Sequence, residues 1–186
     1  MSPSFFILLL LPLISAQSFH WGSCPTPSVQ PDFDLQEYMG TWYEIEKIPS
    51  YFDYGKCLEV NYLLKKDGTV QVLNSHVIKG EKMVVEGTAK VLDPREPGKL
   101  GVSYAPFTPY SPYWVLTTDY TNVTTVYSCT DFLSLFHLDF VTILSRSPSL
   151  PNEIVLHAKE LLMSEGIDVS EMEPTKQDCY EDHEEK

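Results

Sequence analysis

The stretch Gly40-Thr41-Trp42-Tyr43-Glu44-Ile45-Glu46-Lys47-Ile48-Pro49 reads as one β-strand that is entered through a glycine and left through a proline. Trp42 stands near the start of this strand, and three aromatic residues follow in the next loop, at Tyr51, Phe52 and Tyr54. A bulky indole that opens a strand so soon after the N-terminal region is typical of a side chain that plugs one end of a β-barrel. We therefore expect a barrel whose closed end is built around Trp42.

The N-terminus has the composition of a targeting segment. Residues 2–16 are largely apolar, with Phe5-Phe6-Ile7-Leu8-Leu9-Leu10-Leu11 at the centre, and Ala16 precedes the polar Gln17. This pattern predicts a secretory signal peptide over residues 1–16. The alternative is a membrane anchor, but the apolar run is short for a bilayer span. We expect the mature protein to be secreted and extracellular.

The 186 residues suffice for one domain with a substantial core. Residues 17–34 are rich in proline and predict an N-terminal arm, residues 35–167 the folded barrel and helix, and residues 168–186 an acidic C-terminal tail. The tail holds eight acidic residues and two lysines and is expected to be solvated. The net charge of −13 argues against nucleic acid and against anionic membranes as partners.

Eight β-strands follow one another along the chain, separated mostly by short turns. The strongest turn signal is the Asp67-Gly68 pair between two apolar runs, which is typical of a β-hairpin. Such spacing predicts an all-β fold, either an up-and-down antiparallel barrel or a sandwich. The predicted strands cover residues 40–49, 57–64, 70–78, 83–91, 100–104, 113–118, 124–130 and 135–145.

One amphipathic helix closes the pattern. Pro151 occupies the position expected for a first helical residue, and Gly166 the position expected for a C-terminal cap. Apolar residues recur between them at helical spacing, at Ile154, Ala158, Leu161 and Leu162. We expect this helix to pack against the outside of the barrel.

Three separated motifs resemble those of the lipocalin family: Gly40-Thr41-Trp42 in the first strand, Thr118-Asp119-Tyr120 at a later turn, and Arg146 after the last strand. The resemblance extends over essentially the whole mature chain. It implies an eight-stranded antiparallel barrel that is open at one end and holds a dry pocket for one small apolar ligand. It also implies that Arg146 packs across Trp42 at the closed end, where both residues have a structural role.

Cysteine usage points to an oxidising compartment. The sequence holds Cys24, Cys57, Cys129 and Cys179, and an even number in a secreted chain predicts two disulfides, although spacing alone leaves three pairings open. The resemblance implies Cys24–Cys129 and Cys57–Cys179. A single glycosylation sequon, Asn122-Val123-Thr124, lies in a predicted turn, and we expect Asn122 to be modified.

Alternation along the strands predicts which side chains face the pocket. Cys129 must face outward to reach the arm, so Val126 and Ser128 face inward. Among the polar candidates, Tyr62, Asn74 and His76 are suited to orient a ligand carbonyl, hydroxyl or carboxylate, or alternatively to lie at a wet barrel mouth. The predicted ligand-binding set is Val60, Tyr62, Leu64, Val72, Asn74, His76, Tyr104, Tyr113, Val115, Phe140, Thr142 and Leu144.

A proline-rich loop carries large aromatic residues, Phe107 and Tyr110, just before Tyr113. We expect these rings to form an apolar rim at the open end that contacts lipoprotein particles or a membrane surface. The alternative is that they fold over the pocket as a lid.

Chemistry typical of enzymes is absent from the sequence. It holds no nucleophile elbow, phosphate-binding loop or HExxH motif, and its five histidines lack metal-ligand spacing, so we expect no metal and no cofactor. Glu44 and Glu46 share one face of a regular strand and are expected to be solvated rather than to form an acid–base pair.

The resemblance implies a carrier that transports a small hydrophobic ligand, either a fatty acid such as arachidonate or a steroid such as progesterone. The first alternative is a lipocalin that binds a bilin or a retinoid. A less favoured alternative is an enzyme of the prostaglandin D synthase type, which uses a free thiol in its pocket. Cys57 is the candidate thiol in this chain, and we expect it to be in a disulfide.

Overall fold

The computed structural model describes residues 18–49 and 55–179. The predicted signal peptide, the aromatic loop residues Tyr51, Phe52 and Tyr54, and residues 180–186 lie outside the described residues. Ten strands and two helices are present in this part of the chain. They are β1 (Ser18–Trp21), α1 (Leu35–Tyr38), β2 (Gly40–Lys47), β3 (Lys56–Leu64), β4 (Val70–Ile78), β5 (Glu81–Val91), β6 (Lys99–Ser103), β7 (Ser111–Thr118), β8 (Val123–Phe132), β9 (Phe136–Ser145), α2 (Asn152–Ser164) and β10 (Glu173–Pro174).

Strands β2 to β9 form the predicted up-and-down antiparallel barrel. Each pairs with its neighbour in sequence, and β9 also pairs with β2, which closes the barrel. The barrel prediction is therefore confirmed and the sandwich alternative is wrong. Because the strands alternate in direction, the starts of β2 and β8 and the ends of β3 and β9 meet at the closed end. The open end carries the β4–β5, β6–β7 and β8–β9 connections.

Two short strands that the sequence did not predict extend the sheet near the open end. Strand β1 of the N-terminal arm pairs with the first half of β9, beyond the part of β9 that pairs with β2. Strand β10 pairs with the end of β2, beyond the part that pairs with β3. Residues 168–179 pack on the barrel through the buried Met172. Their acidic side chains, at Asp168, Glu171, Glu173 and Asp178, remain exposed to solvent.

Two disulfides hold these terminal segments. Cys24–Cys129 joins the arm to β8, and Cys57–Cys179 joins the C-terminal segment to β3. All four cysteines are thereby paired, in the arrangement that the family resemblance implies. Each bridge closes a loop of more than 100 residues, so each restricts the unfolded chain considerably.

Helix α2 packs outside the barrel, as predicted. It buries Val155, Ala158 and Leu162 against outward-facing barrel residues such as Val141 and Ile143, whereas Ile154 and Leu161 of the predicted stripe are half-buried. Val155 was not predicted because the predicted apolar stripe was counted from Ile154, one residue earlier. Among the described residues, no helix has both the length and the apolar composition needed to cross a membrane.

The sequence predicted the C-terminal cap of α2 correctly and its first helical residue wrongly. Pro151 is not the first helical residue; its backbone is extended (ψ 136°), and the helix begins at Asn152. Gly166 follows the last turn as predicted. Its N–H donates to the carbonyl of Met163, and that of Ile167 donates to Leu162, which is the hydrogen-bond pattern of a Schellman motif.

Candidate ligand-binding cavity

A cavity of about 540 Å³ occupies the half of the barrel near the open end. All eight barrel strands, or the residues directly following them, contribute to its wall. Its volume lies within the range of about 300–1,000 Å³ that is usual for small-molecule sites. Nine of the predicted ligand-binding residues line it: Val60, Tyr62, Asn74, His76, Tyr104, Tyr113, Phe140, Thr142 and Leu144.

The other three predicted residues lie elsewhere. Val72 and Val115 face inward, but they are buried in the apolar core beneath the cavity, and Val72 lines a small void of about 20 Å³ there. Leu64 is 39% exposed at the end of β3, beyond the closed end of the barrel interior. Of the two further inward predictions, Ser128 lines the cavity and Val126 lies in the core beneath it.

Two tyrosines, Tyr62 and Tyr113, line the floor of the cavity, and Tyr38 lies beneath them beside the small void. The hydroxyl of Tyr113 lies 2.5 Å from that of Tyr62 and 3.3 Å from that of Tyr38, and the Tyr38 hydroxyl lies 3.4 Å from Thr124 Oγ1. Thr124 Oγ1 in turn donates to the carbonyl of Thr117. A connected set of hydroxyl groups therefore separates the ligand cavity from the core around Trp42.

Burial governs the ionisation of this floor. It raises the pKa of Tyr38 to about 12, and it raises the pKa values of Tyr62 and Tyr113 well above their usual value. All three hydroxyls are consequently neutral at physiological pH. The hydroxyls of Tyr62 and Tyr113, which line the cavity, offer a ligand hydrogen bonds without a charge.

Tyr104 lines the cavity, and its ring packs against a glycine. Its ring lies against the backbone of Gly87, where an added Cβ would come within 2.7 Å of a ring carbon. Its hydroxyl accepts a hydrogen bond of 2.6 Å from the side-chain amide of Asn74. Asn74, one of the predicted polar candidates, thus acts as a pair with Tyr104 on one side of the cavity. His76 lies on the same strand as Asn74 and also lines the cavity.

The acidic residues of β2 do not form a solvated face, and that prediction is wrong. The register of β2 against β9 shifts between Glu44 and Glu46, which breaks the alternation of a regular strand. Glu44 lines the cavity and is 8% exposed; its carboxylate binds Lys47 Nζ at 2.9 Å and Thr175 Oγ1 at 2.7 Å. Glu46 faces outward and forms an ion pair with Lys159 of α2.

The aromatic residues of the predicted rim are divided between different sites. Phe107 is fully exposed. Tyr110 packs on the outer surface, where Lys90 Nζ lies 4.2 Å from the centre of its ring. Tyr113 belongs to the cavity floor. These three side chains therefore form neither a common rim at the open end nor a common lid over the cavity.

The three sequence motifs meet at the closed end. The guanidinium of Arg146 lies 3.8 Å from the Trp42 ring centre and donates to the carbonyls of Tyr120, Thr41, Glu37 and Tyr38. Trp42 is fully buried. Gly40 is needed beside them, because its φ is +95° and an added Cβ would come within 3.3 Å of the Arg146 guanidinium.

The family assignment agrees with this geometry. A family model described as a lipocalin-like domain matches residues 33–177, which is most of the chain. The chain belongs to the lipocalin family. The matched segment contains the barrel, both helices and the three motifs, so the lipocalin resemblance seen in the sequence is confirmed.

Among curated lipocalin relatives, apolipoprotein D from Mus musculus is 49% identical over 162 residues, covering 87% of this chain and 86% of that protein. Apolipoprotein D from Bos taurus is 46% identical and covers 92% and 95%. A bilin-binding protein from Pieris brassicae is 36% identical and covers 87% of both chains. Insecticyanin from Manduca sexta, a solved structure, superposes with a TM-score of 0.75 at 28% identity, covering 86% and 89%.

Several residues that line this lipocalin cavity were missed by the sequence analysis. Two of them, Val85 and Val102, follow from the same alternation once it is applied to β5 and β6. Ser111 and Pro112 lie at a strand start that was predicted two residues too late. The remaining missed residues are Glu44, Leu58, Glu59 and Ser75. The fold, the family and this apolar cavity together support a lipocalin that binds a hydrophobic ligand.

Proposed function

We propose that this lipocalin is a secreted carrier that binds one small hydrophobic molecule and transports it by reversible binding. The observation that carries the proposal is the cavity, which combines an apolar wall with a floor of neutral hydroxyl groups. Apolar burial contributes roughly 25 cal/mol per Å² before the costs of association, and the hydroxyls orient one polar group of the ligand. A fatty acid such as arachidonate and a steroid such as progesterone both have this chemistry.

Displacement of a fluorescent polyene fatty acid from the delipidated protein tests the proposal. Competitors are arachidonate, progesterone, retinol and biliverdin. The proposal predicts saturable displacement by arachidonate or progesterone at micromolar or tighter Kd, which is about −8 kcal/mol or more favourable. Preference for biliverdin or retinol instead would favour the bilin or retinoid alternative, and no binding at all would contradict a carrier.

A cavity-filling variant locates the binding site. Ser128 lines the cavity, so Ser128→Trp places an indole where the ligand would lie. Lys66→Trp is the matched control, because Lys66 is exposed in the turn between β3 and β4 at the closed end. We expect Ser128→Trp to abolish probe binding and Lys66→Trp to retain it. Equal binding by both folded variants would contradict the assignment of the cavity.

The enzyme alternative of the prostaglandin D synthase type has less support. Its reaction requires a free thiol, and Cys57 is joined to Cys179 in this structure. We propose that the native secreted protein therefore has no reactive thiol. A thiol titration under native conditions that finds one reactive group per chain would contradict this proposal and reopen the enzyme alternative.

We propose that the protein is secreted and glycosylated. The predicted signal peptide and the two disulfides support secretion. Asn122 lies exposed in the β7–β8 turn, held by a hydrogen bond of 2.8 Å to Asp119. The secreted chain should begin at Gln17 by N-terminal sequencing. It should lose mass on treatment with a glycosidase, and Asn122→Gln should remove that loss; an unchanged mass would contradict glycosylation.

We further propose that the open end contacts lipoprotein particles or a membrane of low charge. The exposed side chains there support this: Phe107 is fully exposed, Leu133 is 90% exposed and Leu135 is 63% exposed. Co-flotation with zwitterionic vesicles should be weakened by Leu133→Asp. Because the chain carries a net charge of −13, anionic vesicles should bind more weakly. Equal flotation of both proteins would contradict this surface.

A further inference from the structure

One edge of the barrel wall is open. Strand β5 pairs with β4 from Glu81 to Ala89, but β6 pairs with β5 only over four residues, from Thr88 to Val91. Within residues 18–49 and 55–179, no strand pairs with the second edge of residues 81–87. The barrel therefore presents residues 81–86 of β5 as an edge strand near its open end, whereas the ring of Tyr104 lies against Gly87.

The side chains on this edge are unusually apolar. Met83 is 48% exposed, Val84 57% and Val85 45%, and no proline interrupts them. An exposed, apolar edge strand offers hydrogen-bonding groups to any other strand, and native proteins cover or protect such edges. The charged residues on the β5 edge indicate which kind of partner covers it.

We propose that a second copy of this chain pairs with β5 in antiparallel orientation, about a two-fold axis through Val84. In that register Lys82 lies opposite Glu86 of the other copy, Met83 opposite Val85, and Val84 opposite its own counterpart. By symmetry each unlike pair forms twice, and two-fold dimers are the commonest closed assemblies. The dimer would join the two barrels through one continuous sheet.

Charge complementarity selects this register. A shift of one residue places Lys82 opposite Val85 or Gly87, and a shift of two places it opposite Val84 or Thr88. The proposed register is thus the one within two residues that brings opposite charges together, and cross-strand pairs of opposite charge stabilise antiparallel sheets.

Both charged side chains keep their partners within the chain. Lys82 Nζ lies 2.7 Å from a carboxylate oxygen of Glu59, and Glu86 accepts a hydrogen bond of 2.6 Å from the Gln71 amide. An ammonium has three donors and a carboxylate about four acceptor positions, so each has capacity for a contact across the dimer. Lys82, Val84 and Glu86 lie on the outer face of the barrel, so the ions remain near solvent.

Sedimentation equilibrium over a concentration series tests the dimer. The mature protein should pass from monomer to dimer as concentration rises. Lys82→Glu places like charges opposite each other twice and should raise the dimer Kd about tenfold. The exchange Lys82→Glu with Glu86→Lys should restore the original Kd, and Lys66→Glu, the same charge change at the closed end, should leave it unchanged.

A monomer at every concentration would overturn the proposal, and so would equal association by the wild type and Lys82→Glu. If the protein is a monomer at every concentration, an extended segment of another protein would be the remaining candidate to pair with this edge. Neither result bears on ligand binding in the cavity, so failure of the dimer is distinguishable from failure of the carrier function.

Disulfide trapping tests the register itself. Residues directly opposite on paired strands bring their Cβ atoms within about 5.5 Å, so Val84→Cys should cross-link two copies under mild oxidation. Lys82→Cys is the control, because in the proposed register it lies four residues, about 13 Å, from its counterpart. All four native cysteines are already paired. Equal cross-linking of both variants, or none with Val84→Cys, would refute the register.

Discussion

Replacing Arg146 with methionine is the sharpest test of how the closed end is held. Arg146 makes hydrogen bonds of 2.9–3.3 Å to four carbonyl oxygens and lies 3.8 Å from the Trp42 ring centre. Methionine preserves much of the apolar stem but removes every donor and the charge. The carbonyls belong to α1, β2 and the β7–β8 turn, so the variant disconnects three segments at once.

The expected loss can be worked from these contacts. A desolvated cation–π contact contributes up to about 2 kcal/mol. Hydrogen bonds from a charged donor contribute about 1.5–3 kcal/mol each, but they share one side chain and do not add. We therefore expect Arg146→Met to lower the free energy of unfolding by about 3–5 kcal/mol. For a chain of this size, that corresponds to a Tm lower by roughly 6–20 °C.

Urea unfolding followed by circular dichroism measures this loss. Arg95→Met is the matched control, because the Arg95 side chain is 88% exposed and pairs with Asp93 in the same loop. Its unfolding curve should coincide with that of the wild type. A loss below about 1 kcal/mol for Arg146→Met would refute a structural role for this contact. Ligand affinity of the folded variant should be retained, since Arg146 lies beneath the floor of the cavity.

Three further predictions follow from the same contacts. Because burial raises the pKa of Tyr38 from 10.0 to about 12, the folded state loses about 3 kcal/mol of stability as pH rises through this interval. Tyr38→Phe should remove that part of the loss, measured by urea unfolding on both sides of the interval; an unchanged pH dependence would contradict the buried hydroxyl. Replacing Cys57 and Cys179 with alanine should cost about 2–5 kcal/mol in the same assay, and equal stability would show that the bridge restrains nothing. Gly87→Ala should cost about 1–3 kcal/mol because its methyl group collides with Tyr104; no loss would mean that the ring moves freely.

Alternation was sufficient to predict much of the cavity wall. Once Cys129 was required to face outward, period two fixed Ser128 as inward. The same rule placed Val60, Tyr62 and Phe140 on the inner face of the barrel. Alternation states which face a side chain occupies, but it does not state the depth of that side chain along the barrel axis. Val115 is therefore inward yet lies beneath the tyrosine floor.

The errors arose where contacts distant in sequence alter a local pattern. Glu44 was expected in a solvated face because a regular strand places i and i+2 on one side. The register shift in β2 and the arrival of Thr175, 131 residues away, instead bury its carboxylate at the cavity wall. The pairing of β10 with β2 has no local signal in a stretch that reads as an acidic tail. The tyrosine floor likewise requires side chains of β3 and β7, two strands that do not pair, to meet inside the barrel, which single strands do not reveal.

Calorimetric titration of the delipidated protein with progesterone and with arachidonate is the decisive test of ligand binding in the cavity. We expect one saturable site per chain for at least one of them. Its heat capacity change should be negative because apolar surface is buried, and binding should be lost in Ser128→Trp. The absence of a saturable site for either ligand, or equal binding by the wild type and folded Ser128→Trp, would contradict a carrier that binds its ligand in this cavity.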